Sequence, residues 1–428
     1  MRDYRWAILT SLAGLTVLLL GTAVYALQMS PAPTTETITY NELYKQTQRE
    51  APLRAPKRGA DYLVIVADEA GFMTALTPLL DYRRAQGLET TAVSLAQIAA
   101  EFGEGDATPQ AIRRFLRYTT ENWQPAPRFL LLAGDAALEE SPTPQAAPNR
   151  NLLPSYSVDG RNADDSWFVT FDENGPGMAV GRFPVQTAEA LTAVVNKTIA
   201  YETAVSHSPN AAWLNRALLI AGDAPYFDMA SKHLENNLDE SGYHIHDLHM
   251  SQNQDIYTNI VSVLNRGVGI LNYTGHGGET GFEDGAAFTA DDAHLLENKD
   301  RLPVFVAFSC QNGAFSDPYQ DSIAEQLLLA ENGGIVAAVG ASGPTITQHS
   351  LSLANTFYHT LLNGNATTWG EVLAQTKTAV IGDEDLETAV HTYNLLGDPA
   401  LPVHQPPSGQ IVRPPLPISG PTLFVNDQ

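Results

Sequence analysis

The sequence has one cysteine, Cys310, and it stands at the end of an apolar run, Val304-Phe-Val-Ala-Phe-Ser-Cys310-Gln-Asn-Gly313. His276 stands at the end of another, Ile270-Leu-Asn-Tyr-Thr-Gly-His276-Gly-Gly278. A thiol of ordinary pKa ~8.5 is only a few per cent thiolate at neutral pH, so a cysteine nucleophile needs a base beside it. An imidazole can take the thiol proton and later return it to a leaving amine. Backbone N–H groups at turns, here those of Gly277 and Cys310, can hold a tetrahedral oxyanion, each donor being worth roughly 3 kcal/mol. Taken singly, each side chain is more simply a loop or packing residue. Their occurrence at two successive run ends points to thioester chemistry.

Those runs belong to a longer alternation. Asp61–Asp68, Arg128–Asp135, Arg216–Asp223, 267–273, 303–309 and 333–340 are short and apolar throughout, with many β-branched residues. Between them lie stretches of helical period: Met73–Gln86, stopped by Gly87, Pro109–Trp123 behind the candidate cap Thr108, Thr187–Ser206, Tyr226–Ser241 and Asp255–Arg266. Strands that are apolar throughout and alternate with helices signal parallel sheets covered on both faces. The pattern restarts near 204–214. The expectation is therefore an α/β protein of two adjacent parallel-sheet subdomains flanked by helices, residues 60–206 and 207–403. Open α/β sheets place their sites beyond the carboxyl ends of strands. His276 and Cys310 are separated by one strand–helix–strand crossover, with a helix predicted near 289–297, so both should emerge at the same edge.

The ends of the chain read differently. From Trp6 to Leu27 there is no charge, and two arginines precede this stretch. Roughly 20 apolar residues suffice to cross a bilayer, so residues 1–27 are expected to form a hydrophobic helix, either a signal peptide or a membrane anchor, and the remainder to be extracytoplasmic. Residues 28–59 read as a linker or short pro-like segment, and 404–428 as a proline-rich tail. Across 428 residues, 24 Lys and Arg face 48 Asp and Glu, a formal net charge of −24. That balance argues against nucleic acid as a partner. A single cysteine rules out an intrachain disulfide and a Cys-rich metal site, and no metal-ligand spacing is readable elsewhere.

The set Tyr273-Thr-Gly-His276-Gly, then Ser309-Cys310-x-Asn-Gly, resembles the gingipain-type cysteine peptidases of the caspase-like clan. Further segments carry the resemblance: Asp61-Tyr-Leu-Val-Ile, Leu80-Asp-Tyr-Arg-Arg-Ala-Gln-Gly87, Leu131-Leu-Ala-Gly-Asp135, Asp165-Ser-Trp-Phe, Val180-Gly-Arg-Phe-Pro184 and Asn394-Leu-Leu-Gly-Asp-Pro-Ala-Leu401. The resemblance implies a caspase-haemoglobinase-like fold, His276 as general base and Cys310 as nucleophile, acting on protein or peptide substrates. It places Asp165 on an acidic position that either orients the histidine or lines the pocket for a basic residue before the scissile bond. Phe282 would be an aromatic wall of that pocket. No cofactor is required, and calcium enters only as a structural ion. Two other functions share the pattern. One is a sortase-like transpeptidase acting in protein secretion, in which an amine resolves the thioester. The other is a non-catalytic peptidase-like binding protein.

Overall fold

The computed structural model describes residues 52–55, 58–138, 150–157, 159–252, 255–383 and 386–406. The expected N-terminal hydrophobic helix and the tail beyond Gln405-Pro406 lie outside these residues. No helix among the described residues is long and apolar enough to cross a membrane.

The strands are β1 (Tyr62–Val66), β2 (Thr90–Ser94), β3 (Phe129–Ala133), β4 (Ala179–Phe183), β5 (Arg216–Ala221), β6 (His244–His249), β7 (Ile270–Thr274), β8 (Gly277–Gly278), β9 (Gly281–Phe282), β10 (Phe288–Thr289), β11 (Val304–Phe308), β12 (Ala337–Ala341) and β13 (Tyr393–Leu396). Ten of them form one sheet in the order β2-β1-β3-β4-β13-β12-β11-β7-β5-β6, and β8, β9 and β10 form a small antiparallel sheet. Every pairing in the large sheet is parallel except β12 with β13.

The two strand sets expected as adjacent subdomains are thus joined edge to edge. β13 supplies the join: it runs antiparallel to β12 along four residues and touches β4 at Leu396 and Arg182. A four-residue strand has too short a pattern to stand out in a sequence, which is why the continuity of the sheet was not legible there.

The helices are α1 (Phe72–Ala85), α2 (Leu95–Phe102), α3 (Pro109–Asn122), α4 (Ala188–His207), α5 (Pro225–Glu240), α6 (Ile256–Arg266), α7 (Ile323–Leu329), α8 (Thr347–Asn363), α9 (Trp369–Val380) and α10 (Glu387–Thr392). Their starts follow local chemistry. Thr108 accepts the Ala111 N–H ahead of Pro109, and Thr187 accepts that of Ala190. Ser322 with Glu325, and Thr368 with Glu371, form reciprocal capping boxes at α7 and α9. The helix expected near 289–297 is a 3-10 turn, Ala290–Leu295, begun by a Thr289–Asp292 capping box.

Alternate residues of the central strands face opposite ways. Leu218, Ile220, Leu271, Tyr273, Phe305 and Ala307 enter one apolar cluster with Ile260 and Leu264 of α6 and Ile323 and Leu327 of α7. Ala217, Leu219, Ile270, Val304, Val306 and Phe308 enter the other, with Leu234 of α5, Phe357 of α8 and Val372 of α9. Helices therefore cover both faces, and the carboxyl edge of the sheet is left for the loops that carry His276 and Cys310.

Candidate active site

The parallel register of β7 and β11 builds the site. Thr274 pairs with Phe308, an offset of 308 − 274 = 34. His276 and Cys310 have the same offset, so each stands two residues beyond a paired strand end. His276 is exposed and Cys310 half-buried.

Glycine lets the two loops meet. A Cβ at Gly277 would stand 2.7 Å from the Cys310 carbonyl oxygen and 3.0 Å from the Asn312 amide, closer than real Cβ contacts. Asn312 fastens the loops together, donating to the carbonyls of Gly278 at 2.7 Å and Gly281 at 3.1 Å. Its own Oδ1 accepts from Ser309. Gln311 adopts a left-handed φ of 58°, and its N–H donates to the Gly343 carbonyl at 3.1 Å. A non-glycine residue in this region marks a tightly determined turn directly after the cysteine.

His276 heads a hairpin. Its carbonyl accepts the Glu283 N–H at 2.8 Å and also the Tyr273 hydroxyl. Its Nε2 shares a 3.3 Å hydrogen bond with the Tyr226 hydroxyl, and the Phe227 ring meets the imidazole edge-on with centroids 5.2 Å apart. Glu283 accepts the backbone N–H groups of His276 and Asp223, each at 3.3 Å, and burial pushes its carboxyl pKa up. Cys310 Sγ is engaged by Thr345, and no hydrogen bond links it to His276.

The two expected oxyanion donors are backbone groups at this junction. The Cys310 N–H has no acceptor among the described residues. In the hairpin His276 and Glu283 form the hydrogen-bonded pair, so Gly277 and Phe282 form the next, non-bonded pair, and the Gly277 N–H points away from the ladder.

Asp165 is engaged by other partners. It is buried, and Arg182 Nε and Nη2 donate to its two carboxylate oxygens at 2.7 and 2.8 Å. Ser155 Oγ donates to it at 2.7 Å, and its N–H donates to Asn394 Oδ1 at 3.0 Å. His276 and Cys310 stand beyond neighbouring strand ends, and the hydrogen bonds of Asp165 go to Arg182, Ser155 and Asn394. The neighbouring Asp164 is also paired, with Lys377 Nζ at 3.3 Å and His391 Nδ1 at 2.8 Å. Burial alone would raise the Asp164 pKa, but Lys377 and His391 outweigh it and hold the carboxyl below its usual range.

Phe282 departs from its expected place as a pocket wall. It is fully buried, stacked on Tyr273 with centroids 4.1 Å apart and packed against Phe288 and Phe305. Phe282 directly precedes the 3-10 turn Glu283–Gly285, and its ring is buried in the core under the hairpin. No group of three or more His, Cys, Asp or Glu residues among those described could hold a metal ion.

Sequence reasoning missed Tyr226, Phe227 and Thr345. Tyr226 and Phe227 follow the carboxyl end of β5 and Thr345 follows that of β12, the strands that flank β7 and β11 in the sheet. Their position after apolar strand runs was the available signal.

The model of peptidase family C25 matches residues 55–404. Lys-gingipain of Porphyromonas gingivalis is 28% identical over 287 residues, covering 65% of this chain and 15% of the relative. Gingipain R2 of the same organism is 23% identical over 408 residues, covering 88% of this chain and 51% of the relative. The crystal structure of the Arg specific cysteine proteinase gingipain R superposes with a TM-score of 0.67 at 21% identity, covering 83% of this chain and 80% of that one. The chain belongs to peptidase family C25, the gingipain-type cysteine peptidases. It spans about half or less of the length of these curated relatives.

Proposed function

We propose that this chain is an exported cysteine endopeptidase that cleaves peptide bonds through a thioester on Cys310. The observation that carries the reading is the β7–β11 register, which sets His276 and Cys310 at equivalent positions beyond neighbouring strands. In the proposed sequence His276 takes the thiol proton as Sγ attacks the substrate carbonyl. The oxyanion is received by the N–H groups of Gly277 and Cys310. His276 then gives the proton to the leaving amine, and water resolves the thioester.

Preference for a basic residue before the scissile bond is supported by the names of Lys-gingipain and the Arg specific gingipain R, and by the net charge of −24, which attracts basic segments. Asp165 does not support it, since Arg182 occupies its carboxylate. Export, by signal peptide or as a membrane-anchored protein, is supported by the uncharged stretch from Trp6 to Leu27 behind two arginines.

The test is a positional peptide library assayed with the wild type and Cys310→Ala. Cleavage by the wild type alone, with free carboxyl products, is the expected result. Products joined to an added amine would instead identify a transpeptidase. Absence of any cleavage or thioester would leave a binding protein.

A further inference from the structure

The Cys310 sulfur has one hydrogen-bonding neighbour among the described residues, and it is not the histidine. The Thr345 N–H donates to Sγ at 3.4 Å, Thr345 Oγ1 lies 3.5 Å from Sγ, and Sγ lies 3.5 Å from the Thr345 carbonyl oxygen. The Thr345 hydroxyl is itself held, because it accepts from Ser350 Oγ at 2.9 Å. A hydroxyl that accepts one hydrogen bond still has its own proton to give, and the sulfur is within its reach. The Tyr393 hydroxyl is buried beside Ser350 and Thr345, close enough to feel the charge of Cys310.

These contacts respond differently to the protonation state of the sulfur. A neutral thiol has one proton, and the Thr345 carbonyl can accept it. When that proton leaves, the carbonyl faces a negative sulfur and repels it. The Thr345 N–H and hydroxyl become charge-assisted donors at the same moment, and such bonds are roughly twice as strong as neutral ones. One residue thus holds the thiol by its carbonyl and the thiolate by its N–H and hydroxyl. Meanwhile His276 Nε2 rests on Tyr226, so the nucleophile is oriented from the β12 side and not by its base.

We infer that Thr345 is the positioning residue for the Cys310 nucleophile, its hydroxyl aimed by Ser350. The inference rests on Cys310 being the nucleophile of the proposed peptidase.

The test compares Thr345→Val, which keeps the shape and removes the hydroxyl, with Thr345→Ser, which keeps the hydroxyl. Two readouts are taken: kcat and KM on a cleaved peptide, and the rate of iodoacetamide alkylation at Cys310, the sole cysteine. The expected result is a roughly tenfold fall in kcat and in alkylation rate for Thr345→Val, with KM within about twofold and Thr345→Ser close to wild type. Matching circular dichroism and thermal midpoints certify the fold. Thr345→Val within about twofold of wild type in both readouts, or Thr345→Ser as slow as Thr345→Val, overturns the inference. A wild type that cleaves no peptide but keeps the alkylation order defeats the peptidase reading and leaves Thr345 standing. Cleavage with a flat alkylation order does the reverse.

Discussion

Asp165 and Arg182 form a two-point ion pair inside the protein, with both partners buried and both carboxylate oxygens engaged. Arg182 spends its remaining Nη1 on the carbonyls of Gly134 and Leu153 at 2.8 Å each. The pair therefore ties β4 to the carboxyl end of β3 and to the loop that precedes the Asp165–Phe168 turn. Breaking one side of such a pair leaves the other charge buried and alone, at a cost of ~3–5 kcal/mol. Asp165→Asn should lose stability on that scale in urea unfolding, while the folded fraction keeps its preference among peptide substrates. Retained stability with loss of turnover for every substrate would return Asp165 to the catalytic machinery.

A second cluster couples stability to pH in the less familiar direction. Glu325 is buried, its Oε2 accepts the Ser322 N–H and hydroxyl, and its Oε1 has no hydrogen-bond partner among the described residues. Burial, then the negative charges of Asp135 and Asp321, push its pKa well above the usual carboxylate range, and Asp135 is itself raised to about 6, chiefly by burial. A carboxyl whose folded pKa is raised adds stability below its unfolded value, and that stability is lost as pH rises through the folded one. Glu325→Gln should therefore be more stable than the wild type at neutral pH, with the gap closing toward pH ~4. Parallel stability curves for the two proteins across that range would refute it.

His249 titrates with the opposite partners. Its Nδ1 bonds Asp228 at 2.6 Å and its Nε2 bonds Asp247 at 2.7 Å. Partial burial disfavours the charged ring, but the two carboxylates outweigh it and raise the pKa above the ordinary 6.5. The stabilisation is complete below that ordinary value and is lost as pH rises through the raised one. Asp228 lies on α5, one residue beyond Phe227 and two beyond Tyr226, the residues that touch His276. His249→Gln should flatten the fall in thermal midpoint on the alkaline side of pH ~6.5, by no more than ~1 kcal/mol because the group is partly exposed. An unchanged slope would show that this clamp does not contribute.

The strands of the sheet, and the shared edge at which His276 and Cys310 emerge, were the legible parts. Runs such as Ile270–Thr274 and Val304–Phe308 are buried along their whole length, as strands of a sheet covered on both faces are. The pairing of His276 with Cys310 followed because one crossover separates them. Residues quoted for family resemblance proved to be partners in ion pairs: Arg182 holds Asp165, and Arg83 holds Asp398 at 2.8 Å and also Glu202. Asp398 is 315 residues from Arg83 along the chain, so no local pattern could have linked them. Thr345 and Tyr226 follow strands that neighbour β11 and β7, but a threonine and a tyrosine there do not by type single themselves out as site residues. Phe282 shows the converse limit: an aromatic beside a catalytic loop reads alike whether it faces substrate or core.

β13 is the last strand of the described chain, yet it lies fifth of ten in the sheet, between β4 and β12. While the chain is being synthesised, the earlier strands have no bridge between them until Leu396 is available. The loop bearing Thr345 leans on this late strand, since the Ser342 N–H donates to the Thr392 carbonyl at 2.9 Å and Ala341 pairs with Tyr393. The edge that presents Cys310 is therefore completed only once Tyr393–Leu396 has been made. The order of the strands acts as a clock, withholding the complete edge until β13 joins the sheet.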